Sequence, residues 1–208
     1  GYDAKRGKGN APVNPNRDRG HGRIYRVVWE GAPESTIESL AGANTAQVIA
    51  ALESDNLFWR HTAQRLLVDE SMKGAIPALK KKVISGGTGA IQALWSLSGL
   101  EALDSETLQV ALMSEDPALR RNAINALGSD AAALQLFFDT AVVQDEELIV
   151  RLAAFNKMVQ FDDQKTIARA AKELIKDFSN ASEPWLSQSL RNAGAGPENR
   201  GPSKLGKE

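Results

Sequence analysis

The chain has 208 residues, enough for one domain or two small ones with a substantial buried core. Apolar residues make up 42% and charged residues 25%, the ordinary balance of a soluble globular protein. The net charge of −1 gives no general field for nucleic acid or an anionic membrane, and the absence of cysteine excludes disulfides, thiolate metal sites and covalent haem attachment within this chain.

The charge is unevenly placed. Residues 1–26 hold seven Lys and Arg (Lys5, Arg6, Lys8, Arg17, Arg19, Arg23, Arg26) against two Asp, a balance of +5, which leaves −6 on the remainder. A small basic arm on a mildly acidic body results. No apolar run approaches the roughly 20 residues needed to span a bilayer. No signal peptide is present, and a start at Gly1 rather than Met predicts a processed or excised fragment.

In chain order, residues 1–22 are rich in Gly, Asn, Pro, Arg and Lys with almost no large apolar side chain, and read as loop. Within RDRGHGRIYRVVWEG (17–31), Ile24 to Trp29 reads as one β-strand closed by Gly31. A lone strand cannot satisfy its own backbone, so its pairing partner must be found elsewhere. Residues 1–33 are therefore expected to be an irregular arm with one short strand.

From about Glu34 the pattern is helical and repetitive. WRHTAQRLL (59–67), GAIQALWSL (89–97) and LRRNAINAL (119–127) align at a spacing of 30, placing Ala63, Ala93 and Ala123 in one column and Leu67, Leu97 and Leu127 in another. VRLAAFNKM (150–158) continues both columns with Ala154 and Met158 after one extra residue, and a degenerate fifth copy begins at Trp185. Each copy follows another apolar-periodic stretch: Val48, Ile49 and Leu52; Ile76 and Leu79; Leu108 and Leu112; Leu134 and Phe138; Ile167, Ala171 and Leu174. Asp55-Asn56, Gly86-Gly87 and Asp116-Pro117 punctuate them. Paired amphipathic helices with small Ala where helices approach closely define an all-α solenoid of about five pairs over 34–193. The tail 194–208 reads as a flexible linker.

SEDPALRRNAINALG (114–128) fixes the type. Asp116 can cap the second helix, Pro117 suits its first position, and Gly128 can close it. The segment resembles a HEAT repeat, with Asp-Pro, then Arg, then Ala and Leu. The second copy departs from it, with Ala90 where Arg60, Arg120 and Arg151 stand.

Two segments in order carry a narrower resemblance. GRIYRVVWEG, followed by DNLFWRHTAQRLLVDE, AIPALKKKV and IQALWSLSGLEALD, resembles the bacterial membrane-bound dehydrogenase family over roughly residues 2–190. In that family a β-propeller similar to glucose/sorbosone dehydrogenases ends in a GRIYR strand and is followed by a HEAT-like region, often with a c-type haem domain. The resemblance implies that Ile24–Trp29 closes a propeller this chain lacks, that a sugar dehydrogenase-like activity would belong to the parent protein, and that the setting is the periplasm or cell envelope. The chain itself has no Cys-x-x-Cys-His for haem and no sugar or quinone site of its own.

No catalytic, cofactor or metal site emerges from the residues. His21 and His61 stand without a second ligand at metal spacing. SGGTG (85–89) lacks the Lys-Ser/Thr of a phosphate loop and reads as an inter-helix turn; Lys80, Lys81 and Lys82 read as a solvated helix end, and Asp162-Asp163 as a helix start. Arg60, Arg120 and Arg151 read as rungs of a ladder between repeats, with Asp55, Asp116 and Glu147 as partners. A 100° helical step places His61, Arg65 and Val68 opposite the core face, with Ile91, Trp95 and Ser98, then Arg121, Asn125 and Gly128, then Leu152, Asn156 and Val159 equivalent to them. In a solenoid that face lines the concave surface, and its mixture of apolar and polar groups suits a protein contact made by His61, Arg65, Trp95, Arg121 and Asn125. The expected function is a non-catalytic scaffold that docks on a propeller domain or other envelope proteins, with no nucleic acid partner and no membrane insertion. Two alternatives stand beside it. A DNA glycosylase-type enzyme of HEAT-like architecture would need a strongly basic face, which a body of −6 does not offer. A small-ligand accessory would use the surroundings of Trp95.

Overall fold

In the computed structural model, the described residues are 2–3, 8–9, 29–31 and 39–195. Two compact units divide the chain, Gly1–Glu38 and Ser39–Glu208. In the first, β1 (Tyr2–Asp3) pairs antiparallel with β2 (Lys8–Gly9), Tyr2 facing Gly9. That short ladder lies in a stretch whose composition reads as loop. Residues 24–28 of the expected strand lie outside the described residues; Trp29 belongs to no strand and is 76% exposed.

The second unit is all-α and solenoid-like. Its helices are α1 (Thr45–Ala51), α2 (Leu57–Asp69), α3 (Ile76–Ser85), α4 (Ala90–Gly99), α5 (Ser105–Leu112) and α6 (Pro117–Ala126). They continue with α7 (Ala131–Asp139), α8 (Leu148–Met158), α9 (Gln164–Leu174), the short α10 (Phe178–Ala181) and α11 (Pro184–Ala195). First and second helices of a pair touch in α1–α2, α3–α4, α5–α6 and α9–α11, while α7 and α8 both pack on the 3-10 turn Val142–Gln144 between them. Second helices pack on one another along the whole series, α2 on α4, α4 on α6, α6 on α8 and α8 on α11. Among the described residues no helix is long and apolar enough to cross a membrane. Residues 196–208 lie outside the described residues, and 194–195 end α11.

The repeat columns form the core. Ala63, Ala93, Ala123 and Ala154 have no exposure, and Leu67, Leu97, Leu127 and Met158 are buried beside them. Only a methyl group fits where consecutive second helices meet, while each buried Leu removes enough apolar surface from water to contribute roughly 2 kcal/mol. In the fifth pair Leu186, Leu190 and Ala193 are the buried apolar residues of α11. Along α7 the fully buried ring is Phe137, with the expected Phe138 half-buried against it at 5.3 Å between centroids.

Side chains set the helix starts. Asn44 and Gln47 make a reciprocal capping box on α1. Asn56, Asp104, Asp116, Asp130 and Asp163 cap α2, α5, α6, α7 and α9, with Pro117 opening α6 as its sequence requires. Helix ends are more varied. After α2 and α4, Ser71 and Glu101 turn left-handed (φ 49° and 55°), and the next amides, of Met72 and Ala102, bond back to the carbonyls of Leu67 and Leu97 at 2.9 Å. This is the Schellman closure, reached without glycine. α6 ends differently: Leu127 is extended (ψ 144°), so Gly128 does not take the left-handed closing role expected of it. The Leu127 carbonyl is instead capped by Lys157 Nζ from the next repeat. Gly89 opens α4 at φ 81°, where a Cβ would come within 2.3 Å of the Leu52 carbonyl oxygen, so no other residue fits that turn.

Candidate interaction surface

The second helices display the predicted contact residues in register. His61 and Arg65 project from α2, Trp95 from α4, Arg121 and Asn125 from α6. Four of the five are exposed, while Trp95 is half-buried. The Trp95 indole N–H donates to Asn122 Oδ1 at 2.8 Å, and Asn122 Nδ2 in turn donates to the Ala118 carbonyl. The ring is thus held by α6, a link that a single-helix wheel cannot reveal. Arg65 has Asp69 at 3.6 Å across one helical turn, an exposed pair of little energetic weight. Farther along, Asn156 accepts a hydrogen bond from Ser189 at 2.8 Å, tying α8 to α11 as Trp95 ties α4 to α6.

The arginine column lies at the turn that joins the two helices of each pair, and its partners differ from those expected. Arg60 donates to the carbonyls of Ser54 and Asp55, not to the Asp55 carboxylate. Arg120 donates to the carbonyls of Ser114 and Glu115, and Arg151 to that of Asp145 at 2.9 Å. Asp116 is occupied in capping its own helix. The repeated device is a guanidinium that satisfies the turn carbonyl six residues upstream, joined by the one five upstream for Arg60 and Arg120. One inter-repeat ion pair is built upon it, Arg120 with Asp145 rather than Glu147. Burial works to raise the Asp145 carboxyl, but the Arg120 bonds and the Glu147 amide outweigh it and hold the group below the usual carboxylate range. Asp177 follows Asp145 by 32 residues and likewise accepts from the amide two positions on. Its hydrogen bonds to Ser179, helped by the charge of Arg151, lower its carboxyl too.

Lys157 is a functional-looking group that the sequence reading missed. It is 5% exposed, and its ammonium reaches Leu127 O and, at 3.2 Å, Gln160 Oε1, with the Phe161 ring 5.9 Å away. Burial lowers its basicity. The clue available in sequence was a lysine in the same face as Ala154 and Met158. Lys80 and Lys82, from the basic run, pair with Asp104 and Glu53. Among the described residues no three His, Asp or Glu side chains gather where they could hold a metal ion.

No family model matches the chain, and no curated protein matches it.

Proposed function

We propose that this chain is a non-catalytic scaffold, a HEAT-like protein-interaction module that belongs to a larger propeller dehydrogenase-like protein of the cell envelope. The observation that carries the reading is register. Positions 61, 91, 121 and 152, and likewise 65, 95, 125 and 156, recur on second helices that pack directly on one another. Their side chains therefore form two parallel files, His61-Ile91-Arg121-Leu152 and Arg65-Trp95-Asn125-Asn156, in which exposed polar groups are interspersed with half-buried Ile91, Trp95 and Leu152. Aromatic and Arg groups set among polar neighbours are the composition of contact surfaces. The residual −6 of the body gives no support to phosphate-backbone binding.

The test uses the triple variant His61→Ala, Arg121→Ala, Asn125→Ala, because truncating Trp95 would also cut the link to Asn122. The propeller domain encoded with this chain is titrated into each form in a calorimeter. Losing these contacts should weaken binding by about 30-fold, the size of one interface hot spot. Equal affinities, or a gene that encodes no propeller, would end this reading.

A further inference from the structure

Among the described residues, two buried side-chain polar atoms lack a hydrogen-bond partner, Arg151 Nε on α8 and Asn180 Oδ1 on α10. One lies on each side of the junction between the fourth and fifth helix pairs. A native fold leaves few such groups, because each has left water without finding a replacement bond. The preceding junction shows what this one lacks. Arg120 is the fourth residue of α6 and Arg151 the fourth of α8. Each gives Nη1 to a carbonyl six residues upstream. Arg120 also directs Nε and Nη2 at Asp145, 25 residues ahead in the next turn. Asp177 stands 26 residues beyond Arg151, in the turn between α9 and α11.

Asp177 is set in its turn as Asp145 is in the one before. The Oδ1 of each accepts the amide two positions on, from Ser179 and Glu147 respectively. Yet among the described residues no ion pair joins Asp177 to Arg151, and nothing donates to Asp177 Oδ2. Two local differences account for the open arrangement. Ser179 adds its hydroxyl to Asp177 Oδ1 at 2.7 Å, a bond that Glu147 cannot make. Asp177 is also exposed, whereas the Asp145 side chain is shielded. Drawing Asp177 onto Arg151 costs the carboxylate part of its hydration and relieves the unbonded Nε, two effects of opposite sign and similar size. The charge of Arg151 already reaches Asp177, since it helps to lower that carboxyl. We propose that the turn 175–183 is a latch with two positions, and that Asp177 moves between them. In the open one Ser179 holds it, as described above. In the closed one its carboxylate accepts from Arg151 Nε and Nη2, as Asp145 accepts from Arg120, and the fifth helix pair is fastened to the fourth. Ser189 on α11 bonds Asn156 on α8, so the latch sets how firmly the last second helix is held on the one before it. The latch does not depend on what binds the files of the second helices.

The test reads the arginine side chains directly by nuclear magnetic resonance of the full chain. Nitrogen relaxation dispersion at Arg151 Nε should report exchange between two positions, while Arg120 Nε, already bonded to Asp145, stays flat as the internal control. Asp177→Asn removes the carboxylate and should abolish the Arg151 dispersion without touching Arg120. Ser179→Ala removes only the hydroxyl that competes for Asp177, an exposed group whose loss leaves the fold intact. It should shift the balance toward the closed position and slow exchange of the Arg151 Hε proton with solvent about fivefold, the weight of one ordinary hydrogen bond. The proposal is overturned if the parent shows no dispersion at Arg151 Nε, if Asp177→Asn leaves that dispersion unchanged, or if Ser179→Ala leaves the Hε exchange rate as it is in the parent.

Discussion

Arg120 on α6 donates two parallel hydrogen bonds to Asp145, from Nε to Oδ2 at 2.7 Å and from Nη2 to Oδ1 at 2.8 Å, and so fastens the third helix pair to the turn of the fourth. The side chains are only 12% and 8% exposed, so the pair is shielded and its geometry is bidentate. Removing one partner leaves the other charge without compensation. Asp145→Ala should therefore cost about 3 kcal/mol in urea unfolding, whereas Arg60→Ala, which loses only carbonyl contacts, should cost about 1 kcal/mol. Similar losses for both would show that the ion pair adds nothing to the carbonyl clamp.

Acid should act on the same pair. The folded Asp145 carboxyl lies below the ordinary aspartate range, so near pH 4 the unfolded chain binds more protons than the folded one. The pair's contribution is complete above that range and disappears as pH falls through the depressed folded value. Asp104, lowered chiefly by its hydrogen bonds to Lys80 and Thr107, acts in the same direction. Urea midpoints measured from pH 6 down to pH 2 should fall more steeply for the parent chain than for Asp145→Asn.

Lys157 predicts the opposite limb. Its folded basicity is reduced by burial, so the charged form is penalised at neutral pH and the penalty is relieved as pH rises through the folded value toward the ordinary lysine value of about 10.4. The stability of the parent relative to Lys157→Met should increase over the alkaline interval that ends near the ordinary lysine value of about 10.4. A difference that stays flat across that interval would mean the ammonium is as well solvated as in the unfolded chain.

The fully buried alanines set the spacing of the stack. Ala93→Glu or Ala123→Glu places a carboxylate where second helices touch, with no partner available, and should destabilise by at least about 3 kcal/mol. Thermal melts of either variant that match the parent would disprove the close approach of α2, α4, α6 and α8.

Two left-handed residues offer a gain. Ser71 and Glu101 close α2 and α4 at positive φ, a conformation that costs an L-residue and costs glycine nothing. Both are exposed, so no packing is lost on substitution. Ser71→Gly and Glu101→Gly should each stabilise by about 0.5–1 kcal/mol after the larger chain entropy of glycine is offset, read as a raised urea midpoint.

By itself the sequence determined the all-α, solenoid-like plan. Its signals are short-range and periodic: Ala63, Ala93 and Ala123 recur every 30 residues, and Asp116-Pro117 states a helix start in two letters. Such patterns survive because a helix face and a cap are defined within a few residues of the same chain. The tertiary structure alone decided which groups meet across repeats. Asp145, Glu146 and Glu147 are three adjacent carboxylates, equivalent on paper, and only the path of the turn after Val142–Gln144 delivers Asp145 to Arg120. Likewise Trp95 reads as a free surface anchor until α6 brings Asn122 to its indole, and Lys157 reads as one more solvated lysine until Leu127 leaves a carbonyl beneath it. Those partners stand 25 to 30 residues apart, a separation at which contact depends on how helices stack and no local period records it.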